Sequence, residues 1–228
     1  MARQVAQRDA KLGEGPAAVP GRYGLLLILL ICAYLLSAFV TGRWVSVLQI
    51  LIFTGTALLA LRNWPTTSRV TRPAVVAIVL AVSALSLALQ FTTETGTGIA
   101  GIWTGLILLG AALLIVRRVF AFRTVTVQSI YGVLSVYIIL GLMFAAFYAA
   151  IGHLGGGHFF ANNQPASTQT FQYFSFTTLT TLGYGDFTAA GNPGRAVAIL
   201  EALVGQVYLI TLVSRMVAQF RTPGEGAR

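Results

Sequence analysis

The segment 180–186 reads Thr-Thr-Leu-Gly-Tyr-Gly-Asp, in which two glycines, at positions 183 and 185, are separated by one residue. Backbone carbonyl oxygens can replace the water around a cation when several of them point at one axis. That arrangement needs a backbone that alternates between ordinary and left-handed conformations, and Gly183 and Gly185 adopt the latter at little steric cost. Thr181 can add its hydroxyl as a further oxygen ligand. Taken alone, the pattern fits either coordination of a cation by the backbone or a glycine-rich turn between membrane helices that happens to contain Tyr.

The elements around this segment are predicted to lie in a membrane. The chain has 228 residues, of which 56% are hydrophobic and only 9% are charged, as in membrane proteins. A spanning helix needs about 20 mostly apolar residues. Six stretches meet this need, at about 23–41, 44–61, 74–91, 99–118, 128–151 and 196–219. A seventh, 169–180, is too short and too rich in hydroxyl groups, and we predict that it is re-entrant and buried in protein.

The motif in this setting resembles the potassium channel family, whose filters read Thr, then Val, Ile or Leu, then Gly-Tyr-Gly. The five residues from Thr181 to Gly185 match at every position, and the aromatic and hydroxyl-rich segment 171–178 precedes them. The resemblance covers about 128–220 strongly and the first 120 residues only by helix count. It implies an all-α membrane protein with six transmembrane helices, a re-entrant pore helix and a selectivity-filter loop. One pore loop cannot enclose an ion, so a symmetric homotetramer is expected.

The implied domain organisation follows the charge and hydropathy pattern. We predict a cytoplasmic N-terminal tail, a four-helix transmembrane domain, an interfacial linker, a pore domain and a short cytoplasmic tail. Their bounds are 1–22, 23–119, 120–127, 128–220 and 221–228. The pore domain is divided into an outer helix, the pore helix 169–180, the filter 181–186 and the inner helix 196–219. No soluble ligand-sensing domain is expected after the inner helix.

The placement of basic residues predicts the orientation in the membrane. The formal net charge is +9, which raises the question of nucleic-acid binding. With a cytoplasmic N-terminus, however, 13 of the 15 basic residues are inside, and only Arg43 and Arg195 are outside. The same orientation puts the filter on the outer side. We therefore predict a multi-pass protein of the plasma membrane with both termini in the cytoplasm, anionic lipids at its inner rim and no nucleic-acid partner.

The fourth helix departs from the voltage-gated channels that share the six-helix pattern. A voltage sensor carries arginines through the membrane. Residues 99–116 contain no charge, Arg117 and Arg118 come only at the cytoplasmic end, and Glu94 is expected in the outer loop. We therefore predict a voltage-independent channel.

The resemblance also assigns roles within the pore. Thr181, Leu182, Gly183 and Tyr184 are expected to present oxygens to K⁺, and Gly185 belongs to the same ion-binding loop. No other cofactor or metal is expected. The filter is expected to be supported by Asp186, with its side chain behind the ion path, and by Tyr173 and Thr180 of the pore helix.

The inner helix offers candidates for gating. Gly205 is interpreted equally as a hinge or as a site of close helix packing. Gln206, Leu209 and Val213 are expected to line the inner pore, where apolar side chains can gate by dewetting. Glu201 is the one carboxylate in the spans and so a functional candidate, although we favour a structural role with the pore-helix hydroxyl groups.

Two histidines, His153 and His158, flank a glycine run in the outer loop. We expect a solvated turret there rather than a metal site or a pH sensor, because no carboxylate or cysteine is nearby to complete a site. The spans hold no paired carboxylates and no lysine, so the chain is not predicted to be an enzyme. A weakly selective cation channel, a subunit of a potassium uptake system and a membrane scaffold with a vestigial pore are the alternatives.

Overall fold

A computed structural model describes residues 23–40, 43–62, 71–91, 93–121 and 127–220. The described part is all α, and its only strand pairing is an isolated bridge between Phe160 and Ala189. Seven α-helices follow one another: α1 Tyr23–Phe39, α2 Arg43–Arg62, α3 Thr71–Leu89, α4 Glu94–Ala121, α5 Val127–Leu154, α6 Thr168–Leu179 and α7 Asn192–Phe220. A 3₁₀ turn, Ala161–Asn163, precedes α6.

Three helices are long and apolar enough to cross a membrane: Glu94–Arg117, Val127–Leu154 and Asn192–Leu212. The first three helices have shorter apolar portions, Tyr23–Phe39, Val47–Leu59 and Pro73–Leu89. Three of the six spans predicted from hydropathy are thus supported by length and composition within the described residues, and the other three stay predictions. The predicted tails 1–22 and 221–228 lie outside these residues, as does most of the linker 120–127.

Helix boundaries differ from the predicted ones at two informative places. The pore helix begins and ends one residue earlier than expected, so Thr180 is its C-terminal cap rather than its last residue. Glu94, expected in a loop, lies in the first turn of α4. A carboxylate there is favourable because the N-terminal end of a helix carries partial positive charge.

The outer helix α5 is the centre of the structure and contacts α1, α4, α6 and α7. Ile139 and Tyr148 on α5 are fully buried. Helix α7 is different, because an apolar stripe along it remains exposed in the single chain. The stripe comprises Ile199, Leu203, Val207 and Ile210, each 59–64% exposed.

The pore helix α6 is fixed by a cap at its N-terminus and by hydrogen bonds to the end of α1. Ser167 and Thr170 form a capping box at its start, which satisfies backbone groups that a helix leaves free. The hydroxyl of Ser37, near the end of α1, donates a 2.5 Å hydrogen bond to the side-chain carbonyl of Gln172. The Gln169 amide donates to the Ser37 backbone carbonyl over 2.9 Å. The first helix is therefore bonded directly to the pore helix.

Glycines on α4 allow it to approach α5 closely. A Cβ atom at Gly101 would lie 3.0 Å from the Ala146 carbonyl oxygen and 3.2 Å from the Ala150 backbone nitrogen. These are backbone atoms and cannot rotate away. Gly110, two and a half turns further along α4, has no neighbouring atom within 4 Å of such a Cβ.

We predict that Gly101→Val destabilises the packing of α4 on α5 by about 1–3 kcal/mol, because added methyl groups must push the helices apart. Gly110→Val is the matched control, since it adds the same side chain to the same helix in open space. Thermal unfolding of the purified protein in detergent is the measurement. Equal melting temperatures for the two variants would contradict the close approach at Gly101.

Candidate ion-coordination site

Residues 181–186, here called the filter loop, have an alternating backbone. Gly183 and Gly185 have φ of 51° and 79°, in the left-handed region that the sequence predicts for them. Thr181 shares this conformation with φ of 59°, whereas Leu182 and Tyr184 do not. A β-branched residue in this region is strained by about 1–3 kcal/mol. The sequence gives no sign of the strain at Thr181, because threonine does not favour positive φ.

The backbone carbonyl oxygens in the first four residues of the filter loop, 181–184, have no hydrogen-bond donor among the described residues. The loop side chains are also open in the single chain, with Leu182 59% and Tyr184 68% exposed. A row of unpaired backbone oxygens on an exposed loop is suited to coordinating a cation together with groups from other chains.

The start of the filter loop is tied to the end of α6 by backbone hydrogen bonds. The Thr177 carbonyl accepts from the amides of Leu182, at 2.9 Å, and Gly183, at 3.2 Å. The Thr181 amide donates to the Thr178 carbonyl at 3.0 Å. The hydroxyl of Thr180 donates to the Phe176 carbonyl at 2.6 Å, so it caps the helix instead of joining the loop. These bonds use the amides of the loop, and none of them involves the carbonyls of residues 181–184.

The end of the filter loop is held by residues that sequence reasoning missed. The Gln164 side-chain amide donates to the Asp186 backbone carbonyl at 2.7 Å. Beyond it, the Ala161 amide donates to the Thr188 carbonyl and the Ala190 amide to the Phe159 carbonyl, both at 2.9 Å. The sequence offers no signal for this pairing, because it joins segments on either side of the pore helix.

Aromatic side chains surround the back of the filter loop. The rings of Tyr173 and Tyr184 stack with their centroids 6.5 Å apart, and Phe187 packs edge-on against Tyr173 at 5.7 Å. A hydrogen bond between the Tyr173 hydroxyl and Asp186 raises the pKa of Tyr173 above its ordinary value. The Asp186 side chain thus lies beside the pore helix, on the side where Tyr184 also points.

The inner helix contacts the filter loop and the pore helix at consecutive residues. The Gln206 side-chain amide lies 3.4 Å from the Thr181 hydroxyl oxygen. A Cβ atom at Gly205 would lie 2.7 Å from the Leu179 carbonyl oxygen, the same oxygen that accepts a 3.2 Å hydrogen bond from Tyr137. Leu209, further along the helix, is exposed. The Val213 side chain lies outside the described residues.

Glu201 is fully buried one turn before Gly205. Its Oε1 lies 2.5 Å from the Ser175 hydroxyl oxygen on the pore helix, and its Oε2 accepts a 2.6 Å hydrogen bond from the Tyr148 hydroxyl on α5. The Ser175 contact is of the type expected for a structural carboxylate, whereas nothing in the sequence pointed to Tyr148. The carboxyl group therefore joins three helices of the pore domain.

The expectation that no carboxylate lies near the outer histidines is wrong for His153. Its Nδ1 lies 3.4 Å from Glu94 Oε2, which the fold brings from the start of α4 to the end of α5. The pair is on the surface, with the Glu94 side chain 89% exposed. No group of three metal-ligating side chains occurs among the described residues.

Comparisons with known proteins point to the same segment. Residues 133–222 match the family model described as ion channel. The chain is also 30% identical over 92 residues to the inward rectifier potassium channel Kirbac3.1 of Paramagnetospirillum magnetotacticum, which covers 40% of this chain and 30% of the relative. The chain thus spans about a third of the length of that relative. No solved structure matches it significantly.

Together, the apolar helices and the ion channel match define an integral membrane protein. The two matches support the potassium channel family, and they support it for the pore region alone. Ion channels are not enzymes, in agreement with the prediction from composition. The four-helix portion before residue 133 is outside the family match.

The contact at Gly205 generates a prediction that separates close packing from hinge motion. Gly205→Ala should lower the free energy of unfolding by about 1–3 kcal/mol, because its Cβ meets a backbone oxygen that cannot rotate away. Gly55→Ala is the control, since no atom lies within 4 Å of a Cβ there. The measurement is thermal unfolding in detergent. An unchanged melting temperature with altered channel opening would favour the hinge instead.

Proposed function

We propose that this protein is a potassium channel that conducts K⁺ passively and selectively through a pore formed by four copies of the chain. The observation that carries the proposal is the filter loop, in which an alternating backbone leaves four consecutive carbonyl oxygens without a hydrogen-bond partner among the described residues. Oxygens on a supported backbone replace the hydration shell of K⁺ when they surround it. The residues that coordinate it are Thr181, Leu182, Gly183 and Tyr184.

The homotetramer is supported by two features that a single chain leaves exposed, the oxygens of the filter loop and the apolar stripe on α7. One filter loop supplies one oxygen to each layer of a site, so several loops must meet on an axis to enclose an ion. The exposed apolar stripe on α7, the helix that follows the loop, gives neighbouring copies a surface to pack on. Four copies around one axis form a closed symmetric assembly.

The pore is proposed to open without a conventional voltage sensor. Between Glu94 and Arg117, helix α4 carries no charged residue, so little charge can move through the membrane field. The excess of arginine on one side supports cytoplasmic termini, a location in the plasma membrane and contact of the inner rim with anionic lipids.

The test of this function is conduction by the purified chain in planar bilayers with potassium on one side and sodium on the other. We expect currents whose reversal potential lies far from zero, toward the equilibrium potential of K⁺. A reversal potential near zero would leave a weakly selective cation channel, and the absence of current under every condition would remove the channel function.

Gly183→Ala tests the role of the filter loop. Left-handed backbone costs alanine about 1–2 kcal/mol, so we expect a K⁺ conductance lowered by roughly tenfold or more, together with weaker selectivity over Na⁺. Gly156→Ala is the matched control, because Gly156 also has positive φ, at 65°, and also has no atom within 4 Å of a Cβ, but it lies in the outer loop. Conduction is measured in the same bilayers, and equal currents from the two variants would contradict the assignment.

A further inference from the structure

The hydrogen-bond contacts around the buried carboxyl group of Glu201 indicate whether that group is protonated. The Ser175 hydroxyl oxygen lies 2.5 Å from Glu201 Oε1 and 2.6 Å from the Gly141 carbonyl oxygen. Tyr148 donates its single proton to Glu201 Oε2. All of these oxygens are inside the protein, where each short contact between two oxygens needs a proton between them.

The Ser175 hydroxyl has one proton and two neighbouring acceptors. A backbone carbonyl can only accept, so the contact with Gly141 requires that Ser175 donate its proton there. The contact with Glu201 then needs a proton from the carboxyl group. If Glu201 were ionised, Ser175 could satisfy only one of the two oxygens, and the other would face it with lone pairs alone. A protonated acid satisfies all three contacts at once.

The surroundings of Glu201 also favour its neutral form. Within the described residues, the groups that act on the Glu201 carboxyl are the hydroxyls of Ser175 and Tyr148, and no basic side chain is among them. The titratable groups that face it are Tyr148 and Tyr137 of α5. From α6 it is met by Ser175, which does not titrate. An unpaired carboxylate that is fully buried is strongly unfavourable, and a proton removes that cost.

We propose that Glu201 is a protonated carboxylic acid that fastens the inner helix to the pore helix and so positions the filter loop. Its own O–H donates to Ser175, Ser175 donates to Gly141, and Tyr148 donates to the free carbonyl oxygen of the acid. Ser175 lies two residues before Thr177, whose carbonyl holds the start of the filter loop. Glu201 is thus a positioning residue. This protonation state is independent of the proposed function, and only its effect on conduction depends on that function.

Infrared difference spectroscopy of the full chain in lipid vesicles tests the protonation state directly. The spectrum of the wild type minus that of Glu201→Gln should contain the carbonyl stretching band of a protonated carboxylic acid. Glu94→Gln is the control, because Glu94 is an exposed carboxyl group, and it should leave this band in place. Ser175→Ala removes the acceptor of the acid proton, so it should shift the band without abolishing it.

Two spectral outcomes would overturn the proposal. One is a Glu201→Gln difference spectrum that contains only the bands of an ionised carboxylate. The other is an acid band that Ser175→Ala leaves at the same frequency. Neither outcome depends on whether the protein conducts ions, because the spectra are recorded without a potential or an ion gradient.

Conductance of the same variants tests the positioning role. Glu201→Gln should retain K⁺ conduction and selectivity, because its amide can donate to Ser175 and accept from Tyr148 as the protonated acid does. Glu201→Ala leaves both hydroxyl groups without this partner, and we expect roughly a tenfold lower conducting fraction. Equal conduction by Glu201→Ala and the wild type would contradict the positioning role. A wild type that does not conduct K⁺ would contradict the proposed function and leave the spectral test intact.

Discussion

The rest of this structure depends on one requirement, which is that the backbone carbonyl oxygens of residues 181–184 accept no hydrogen bond from the described residues. Buried or folded backbone normally pairs its polar groups, so a loop that leaves four carbonyls free must be held by other means. Here the amides of Leu182 and Gly183 are both bonded to the carbonyl of Thr177. The loop is therefore anchored through its donors, and its acceptors remain available for a cation.

That anchoring extends outward through the pore domain by a few polar contacts, of which those of Ser37 and Glu201 are buried and that of Gln164 is exposed. Gln164 holds the far end of the filter loop, and Ser37 of the first helix bonds to the pore helix. Glu201 joins α7 to α5 and α6. The buried contacts of Ser37 and Glu201 are costly to break because the freed groups find no water. The pore helix is consequently held on several sides, which is what a coordination site of defined geometry needs.

The local requirements of the site could be predicted from residue types. Glycine at positions 183 and 185 predicts positive φ. A short segment rich in hydroxyl groups between long apolar stretches predicts a helix that does not span the membrane. The early helices were less predictable. Hydropathy alone predicts six spans; three of them are long and apolar enough to cross a membrane within the described residues, and the first three helices are not confirmed as spans.

What the sequence by itself determined is the left-handed backbone at Gly183 and Gly185, because it depends on the residue type at single positions. The sidedness of the basic residues is a prediction that rests on a simple count. Only the tertiary structure decided which distant groups meet. Tyr148 and Glu201 are 53 positions apart, and Glu94 and His153 are 59 apart. Whether residues so far apart in the sequence come into contact depends on how α4, α5, α6 and α7 pack, which no local pattern specifies. The neutral state of Glu201 emerges only there, because it follows from counting the protons among oxygens that three separate helices bring together.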